Sequence, residues 1–328
     1  MKYPYPKLTH TLTFRRISGD MIEITDFAEG TQFHFPLPDA WFARQLDGYT
    51  DPYSMDDVFT REEIDEQLAY LAKHRLLEGR RVRYAGFGTW MFPLLVPGRS
   101  RRLRRLARGY HTVLLLLWLP MLLIGIVLFT KLSWTVSLFT SFFQLYAGLA
   151  FGILSGMVLH EVGHACAGMT YGGRVFEMGV LIMYFIAPGA YVLTDDSGVR
   201  GRLQRLQLFA AGIESNFLLT GLFLTLAILV PVLGELFMMA AFANLILALS
   251  NLMLIRGLDG ARILELLLGM KEPFTLAARV VKSRKIRQTL RRGGGRGWAL
   301  LIMSYMLTPM RIMLPLMYLQ AILEIFIH

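Results

Sequence analysis

The sequence predicts a mostly α-helical membrane protein with a small α+β domain at its N-terminus. Hydrophobic residues make up 54% of the 328 residues and the mean hydropathy is +0.46, whereas soluble domains are about 45–50% apolar. The excess lies in long blocks. The run 113–130 contains no charged residue, and it is long enough to cross a hydrocarbon core of about 30 Å as a helix.

Residues 1–80 are polar and mixed, and they read as a folded module. We predict strands at 12–17, 21–25 and 31–35, and Gly19-Asp20 is a two-residue hairpin signal. We place a short helix from Pro38 to Gly48, followed by a second that opens with the capping box Thr60–Glu63. The apolar residues of the second helix share one face: Ile64, Leu68, Leu71 and Leu76. Together these elements predict a winged-helix-like module, and since no signal-peptide pattern precedes it, we expect it in the cytoplasm.

Five membrane spans account for most of the remaining chain, at about 110–130, 139–169, 207–231, 235–255 and 298–326. Basic residues concentrate in alternate connections, as the positive-inside rule requires of cytoplasmic loops. The segment 256–297, for example, holds eleven Lys and Arg. We therefore expect the N-terminus inside and the C-terminus outside. Pro309, Arg311 and Pro315 interrupt the last span, which is either one kinked helix or two half-helices.

Charge is distributed unevenly. Residues 1–80 carry 9 Lys and Arg against 14 Asp and Glu, a net charge of −5, and the remainder carries 25 against 10, a net charge of +15. The basic residues border hydrophobic spans, which argues against nucleic-acid binding. The single cysteine, Cys166, excludes an internal disulfide framework.

A junction at 81–109 separates the module from the first span. Trp90, Phe92, Leu94 and Leu95 suit a membrane interface. The arginines at 99–108 stand directly before the span, where they could contact anionic lipid.

The motif His160-Glu161-Val162-Gly163-His164 carries the chemistry. On a helix, residues i and i+4 share a face, so both imidazoles can bind one metal. Glu161 beside them could accept a proton from an attacking water. Ionisable residues inside a membrane helix are costly unless they have a function. The sequence therefore predicts a catalytic zinc site rather than histidines satisfied by helix packing.

A third ligand is expected at similar depth on another helix. Asp259 is the best candidate, because it directly follows the fourth span at its cytoplasmic end, and the second span places the histidines toward the same side. Glu214, within the third span, is the competing candidate.

These motifs resemble those of the site-2 proteases, which are intramembrane zinc metallopeptidases. The resemblance covers residues 140–270 and rests on three ordered motifs: His-Glu-x-Gly-His, Gly212-x-x-x-Asn216, and Asn251 seven residues before Leu258-Asp259-Gly260. Ile213 and Leu254 stand where the family typically has proline. The resemblance implies that Asp259 is the third zinc ligand, and that Asn216 and Asn251 lie near the active site. There they could orient a substrate backbone or stabilise an oxyanion, or they could serve helix–helix hydrogen bonding.

Residues 175–192, between the second and third spans, are apolar and are interrupted by Pro188-Gly189, which rules out a full span. In site-2 proteases this region is a membrane-associated hairpin or sheet whose edge could pair with an extended substrate. An ordinary interfacial loop is the alternative.

Residues 1–80 resemble the PqqD-like domains, which recognise leader segments of ribosomally made, modified peptides, usually by adding the leader as an extra strand. The resemblance rests on the strand–hairpin–strand pattern, a helix ending in Leu46-Asp47-Gly48, and a capped helix ending in 75–78. A generic winged-helix interaction domain is the alternative. The acidic balance argues against DNA binding and would suit Lys or Arg in a leader.

The sequence thus predicts a membrane zinc endopeptidase for a leader-bearing precursor peptide, recruited by the N-terminal domain (1–80) and cleaved by the domain 110–328. One alternative is a regulatory intramembrane protease that cleaves a transmembrane substrate. Another is a non-catalytic membrane protein for peptide export or immunity, which would have no need of Glu161.

Overall fold

The computed structural model divides the chain into two compact units, residues 1–105 with 172–198 and residues 106–171 with 199–328. It describes residues 4–78, 83–84, 89–97, 100–132, 141–183, 187–253, 258–269, 273–295, 297–298, 300–302 and 304–306. The prediction had divided the chain differently, at 80 and 109, and had left 172–198 with the transmembrane part.

The first unit begins with an antiparallel three-stranded sheet: β1 (Leu12–Ser18), β2 (Met21–Asp26) and β3 (Thr31–Pro36), in that order. The three predicted strands are confirmed to within one residue. The hairpin turn at Gly19-Asp20 is also confirmed, because Ser18 pairs with Met21 and Gly19 has the positive φ of +49° that glycine adopts without strain.

Two helices cover this sheet, α1 (Leu37–Gln45) and α2 (Arg61–Lys73), with a 3-10 helix (Pro52–Met55) between them. The capping box of α2 is confirmed: Thr60 Oγ1 accepts from the Glu63 backbone amide and the Glu63 carboxylate accepts from the Thr60 amide. Leu76 is fully buried, but it lies beyond the end of α2 instead of on the helix. The core of the domain is drawn entirely from residues 12–76.

A second, four-stranded antiparallel sheet combines the junction with the segment between the second and third spans. Its strands, in order, are β4 (Arg83–Tyr84), β5 (Trp90–Leu95), β6 (Arg174–Met183) and β7 (Ala187–Asp195). The predicted hairpin is therefore present, but Pro188 and Gly189 lie within β7 instead of interrupting the segment. Proline is tolerated there because β7 is the edge strand of the described sheet. The junction residues Trp90–Leu95, predicted only to suit an interface, form a strand paired with β6.

Residues at the base of β6 contact the start of the N-terminal domain. A register shift between Val175 and Glu177 adds one residue, Phe176, to the strand. The Phe176 ring lies 5.0 Å from that of Phe27 and carries the Arg174 guanidinium 4.3 Å above it. The hairpin and the N-terminal domain thus share a packed contact, which explains why they fall in one unit.

The second unit contains four helices that are long and apolar enough to cross a membrane: α3 (Arg101–Leu132), α4 (Phe142–Thr170), α5 (Arg202–Leu229) and α6 (Gly234–Leu252). The first four predicted spans are matched by these helices. Helix α3 begins at Arg101, so most of the predicted basic cluster forms its first two turns instead of preceding it, and Arg99 lies outside the described residues. Helix α5 likewise begins five residues before the predicted span.

Glycines at four-residue spacing bring α4 into backbone contact with α6. A Cβ on Gly148 or Gly152 would lie 2.3 Å from Leu236 O or 2.6 Å from Ala240 Cα, and one on Gly156 would lie 2.6 Å from Asn244 Oδ1. Small residues at this spacing allow membrane helices to pack closely. His160 follows Gly156 at the same four-residue spacing. The packing of these glycines against α6 therefore sets the orientation of the α4 face that carries His160.

Three shorter helices follow: α7 (Asp259–Leu268), α8 (Pro273–Lys282) and α9 (Arg284–Arg292). Residues 300–302 and 304–306 are helical. The rest of the predicted fifth span lies outside the described residues, including the interruption at 309–315.

Candidate metal centre

Side chains from two helices converge in the second unit, His160 and His164 from α4 and Asp259 from the first position of α7. The Nε2 atoms of the two histidines are 3.1 Å apart. Asp259 Oδ2 lies 3.1 Å from Nε2 of His160 and 3.0 Å from that of His164. Of the described residues, this is the one group of three or more His, Cys, Asp or Glu side chains able to hold a metal ion.

The size of this triangle fits a small divalent cation. Tetrahedral zinc with bonds of about 2.0–2.1 Å has ligand atoms roughly 3.3 Å apart, and the three atoms here are separated by 3.0–3.1 Å. Two imidazole nitrogens and one carboxylate oxygen are also a donor set typical of catalytic zinc. The residues therefore fit a metal ion held by three protein ligands.

Each imidazole has a partner for its other nitrogen. His164 Nδ1 lies 2.8 Å from the carbonyl oxygen of Leu208, which fixes the tautomer that leaves Nε2 with a free lone pair. His160 Nδ1 lies 3.2 Å from the side-chain amide of Asn216. A half turn of that amide exchanges its nitrogen and oxygen, and Oδ1 would then accept the Nδ1 proton. Asn216 is 1% exposed, so the structure places it against His160 of the candidate metal site.

Gly212 permits the two imidazoles to lie against α5. A Cβ at this position would lie 2.5 Å from His164 Nε2 and 2.6 Å from His160 Nε2. Any other residue would therefore displace the metal-binding atoms. Gly163, beside His164 on α4, lets the two helices approach closely, since a Cβ there would lie 2.6 Å from the carbonyl oxygen of Ala211 on α5.

Asp259 is placed by the start of α7. Leu258 is the N-cap residue, and a carboxylate in the first turn is stabilised by the helix dipole. A Cβ on the next residue, Gly260, would lie 2.3 Å from Leu252 O, so glycine lets α7 begin directly against the end of α6. The carboxylate oxygen Oδ2 of Asp259 thereby lies within 3.1 Å of both Nε2 atoms, and a metal bound there would require this carboxylate to be ionised.

Glu161 follows the first histidine on α4 and is half-buried. Its charge acts on the His164 imidazole, and a carboxylate beside a metal site is the kind of group that can serve as a general base.

Two predicted residues have a different outcome. Asn251 Nδ2 donates to Leu247 O in its own helix, so the structure does not bring its amide to the histidines, although the backbone of Asn251 contacts Gly260. Glu214, the competing third ligand, does not belong to the group that could hold a metal. The sequence analysis also missed the glycine stripe 148–156, whose signal is the four-residue spacing that leads to His160.

The N-terminal domain has a cavity of about 430 Å³ between β3 and α2. Three carboxylates line it, Asp39, Glu63 and Glu66, together with the aromatic rings of Phe35, Phe59 and Tyr70. Burial raises the pKa of Asp39, a hydrogen bond from Gln67 opposes this, and the charge of Glu63 adds to the rise. In the described sheet β3 is an edge strand, so an acidic, aromatic groove runs beside an edge whose backbone can pair with an extended chain.

The chain matches no protein-family model and no solved structure.

Proposed function

We propose that this protein is a membrane-embedded zinc endopeptidase of the site-2 protease type. The observation that carries the proposal is the convergence of His160, His164 and Asp259, with Glu161 beside them, in a unit built from membrane-length helices. A structural zinc site is usually closed by four protein ligands. Three ligands and an adjacent carboxylate favour catalysis instead.

A zinc ion bound there would polarise the scissile carbonyl and acidify the attacking water. Glu161 would accept the proton of that water as its oxygen bonds to the carbonyl carbon. As the C–N bond breaks, Glu161 would return the proton to the departing amine, so the carboxylate ends the cycle ionised. Leu208 and Asn216 would hold the two imidazoles in the orientation that directs Nε2 to the metal.

We propose that the substrate is a leader-bearing precursor peptide recruited by the N-terminal domain. The open edge of β3 would pair with the leader backbone, and the carboxylates Asp39, Glu63 and Glu66 would attract its Lys or Arg side chains. A leader bound there would keep the rest of its peptide at a local concentration on the order of millimolar. We further propose that the N-terminus is cytoplasmic and the C-terminus outside. The basic segments lie in alternate connections between the spans, and the positive-inside rule assigns those connections to the cytoplasm.

The proposal is tested by incubating the purified protein with precursor peptides encoded near its gene and mapping any cleaved bond by mass spectrometry. The Glu161→Gln variant is the matched control, because it removes only the proton acceptor. It should bind about one zinc per chain, as the wild type does, while cleavage is lost. Cleavage at the wild-type rate by this variant would show that hydrolysis arises elsewhere.

A second experiment tests recruitment. Replacing the groove carboxylates Asp39 and Glu66 by their amides should raise KM and change kcat little, since it removes binding that is equal in the ground and transition states and leaves the contacts of the domain with the hairpin in place. Equal KM values for the two proteins would remove the case for a peptide-maturation enzyme. A regulatory protease that acts on a transmembrane substrate would then be the better hypothesis than a peptide-maturation enzyme.

A further inference from the structure

A second charged surface lies outside the metal centre, on the helices α8 and α9. Residues 273–298 contain eight Lys or Arg and no Asp or Glu. The segment lies in the chain between α7, which carries Asp259, and the apolar residues that follow Trp298. It is therefore both close in sequence to the metal helix and directly beside a hydrophobic stretch.

Most of the basic side chains of this segment are exposed on the surface of the protein. Six are exposed: Arg279, Lys282, Arg284, Lys285, Arg291 and Arg292. Within the part of the chain that the structure describes, none of the six forms an ion pair with a carboxylate. Like charges at this density repel one another, so an anionic partner from outside the chain would stabilise the surface.

The other faces of the two helices are apolar or turned inward. Ala277 and Val280 on α8 are 1% and 2% exposed, and Ile286 and Leu290 on α9 are half-buried. Trp298 is 48% exposed and lies 5.9 Å from the Arg291 guanidinium. Tryptophan beside arginine at the boundary of an apolar segment is typical of the level of lipid headgroups.

We propose that α8 and α9 form a binding surface for anionic phospholipid headgroups, with Arg284, Lys285, Arg291 and Arg292 as its principal cations. A juxtamembrane cluster of four to eight Lys and Arg is the pattern that binds such lipids. An acidic peptide would offer the same charge, but the exposed tryptophan and the adjoining apolar stretch favour a membrane. The surface is independent of peptide hydrolysis, so it can be tested on an inactive protein.

The experiment uses full-length Glu161→Gln protein reconstituted in vesicles of phosphatidylcholine and phosphatidylglycerol at 3:1. After detergent extraction, the lipids retained by the protein are counted by mass spectrometry. We expect phosphatidylglycerol to be enriched over its share in the vesicles. Replacing Arg284, Lys285, Arg291 and Arg292 by Gln should lower the enrichment clearly below that of the wild type, because each basic residue strengthens headgroup binding by roughly fivefold; the arginines at 101–108 account for what remains.

A charge-matched control replaces four exposed cations of the N-terminal domain by Gln: Arg15, Arg16, Arg61 and Lys73. This control should keep the enrichment. Equal enrichment in the α9 variant and the wild type, or none in the wild type, would overturn the proposal. Competition by inorganic phosphate at matched ionic strength would indicate a general phosphate site, and binding of polyglutamate without lipid enrichment would indicate a surface for acidic peptides; either result overturns the lipid assignment.

Discussion

The carboxylate of Glu177, on the hairpin strand β6, lies 2.8 Å from Nε2 of His10 in the N-terminal domain. The Tyr191 hydroxyl donates to the other carboxylate oxygen at 2.8 Å. Glu177 is 1% exposed, so a buried acidic group joins both strands of the hairpin to the segment that leads into β1. Arg174 adds longer hydrogen bonds to the carbonyl oxygens of His10 and Leu12, at 3.4 and 3.5 Å.

Removing this carboxylate should loosen the hairpin. We expect Glu177→Ala to destabilise the contact by about 1–3 kcal/mol, because it leaves the buried Tyr191 hydroxyl and the half-buried His10 imidazole without their partner. The measurement is hydrogen exchange of the β6 amides in the full chain. Glu23→Ala is the matched control, since Glu23 lies 3.9 Å from the exposed His34 and a surface pair contributes at most about 1 kcal/mol. Unchanged exchange in Glu177→Ala would mean that strand pairing alone holds the hairpin.

A methyl group at Gly212 should disrupt the metal centre. In Gly212→Ala the new Cβ would lie about 2.5 Å from both imidazoles, so we expect at least a tenfold loss of zinc affinity with the helices still folded. Gly168→Ala is the control, since its Cβ would meet Leu208 Cδ1 at an ordinary 3.6 Å. Zinc affinity is measured by competition with a chelator. Equal affinities for the two variants would contradict the close approach of α5 to the histidines.

Much of the metal centre was predictable because its signals are local. A helix places residues i and i+4 on one face, which pairs His160 with His164 without any tertiary information. Asp259 was predicted from its depth in the membrane. That prediction needs only the rise of a helix per residue, which is the same in every span. The capping box at Thr60 is a similarly local signal, since all its partners lie within one turn.

The remaining features depend on contacts between distant segments. The strand Trp90–Leu95 pairs at its start with the two-residue strand β4, but most of its length pairs with β6, more than 80 residues later. From sequence alone, its apolar residues therefore indicated a membrane interface and not a strand. The Asn251 amide could not be assigned from sequence either, since an asparagine near the end of a helix can serve its own backbone or a neighbour equally well.

Asn216 should act on the metal through His160. We expect Asn216→Leu to weaken zinc binding by roughly 10–100-fold, the usual effect of losing a partner of a metal-binding histidine. Asn216→Asp should restore affinity, because a carboxylate oxygen can accept the Nδ1 proton. Thr220→Val, in a buried residue one turn along α5, controls for general damage to the helix. The readouts are zinc affinity and the absorption spectrum of the cobalt-substituted protein. If Asn216→Asp bound zinc as weakly as Asn216→Leu, the function of Asn216 would be packing only.

The capping box should make the N-terminal domain sensitive to acid. Thr60→Ala is expected to cost about 1 kcal/mol of unfolding free energy, and Thr60→Ser should cost less.

Hydrogen bonds from the Thr60 backbone and hydroxyl lower the pKa of Glu63. Its contribution is therefore complete above about pH 4.3, the value in an unfolded chain, and is lost as pH falls through the lower folded value. Hydrogen exchange of the α2 amides in the full chain, measured as a function of pH, reports both effects; an identical acid transition in Glu63→Gln would contradict the second.

The choice between Asp259 and Glu214 as the third ligand decides the architecture of the metal centre. Asp259→Ala should reduce zinc affinity more than 100-fold, because it removes one of three ligand atoms that the structure holds at 3.0–3.1 Å. Asp259→Asn should also bind weakly, since a neutral amide is a poor zinc ligand.

Glu214→Ala is the matched control for this prediction. Glu214 is a carboxylate on α5, two residues from Gly212, but it does not belong to the ligand group. Its removal should leave the zinc content at about one per chain. The reverse result, zinc retained in Asp259→Ala and lost in Glu214→Ala, would move the third ligand to α5. Asp259, at the first position of α7, would then have no part in binding the metal, which would be held by α4 and α5 alone.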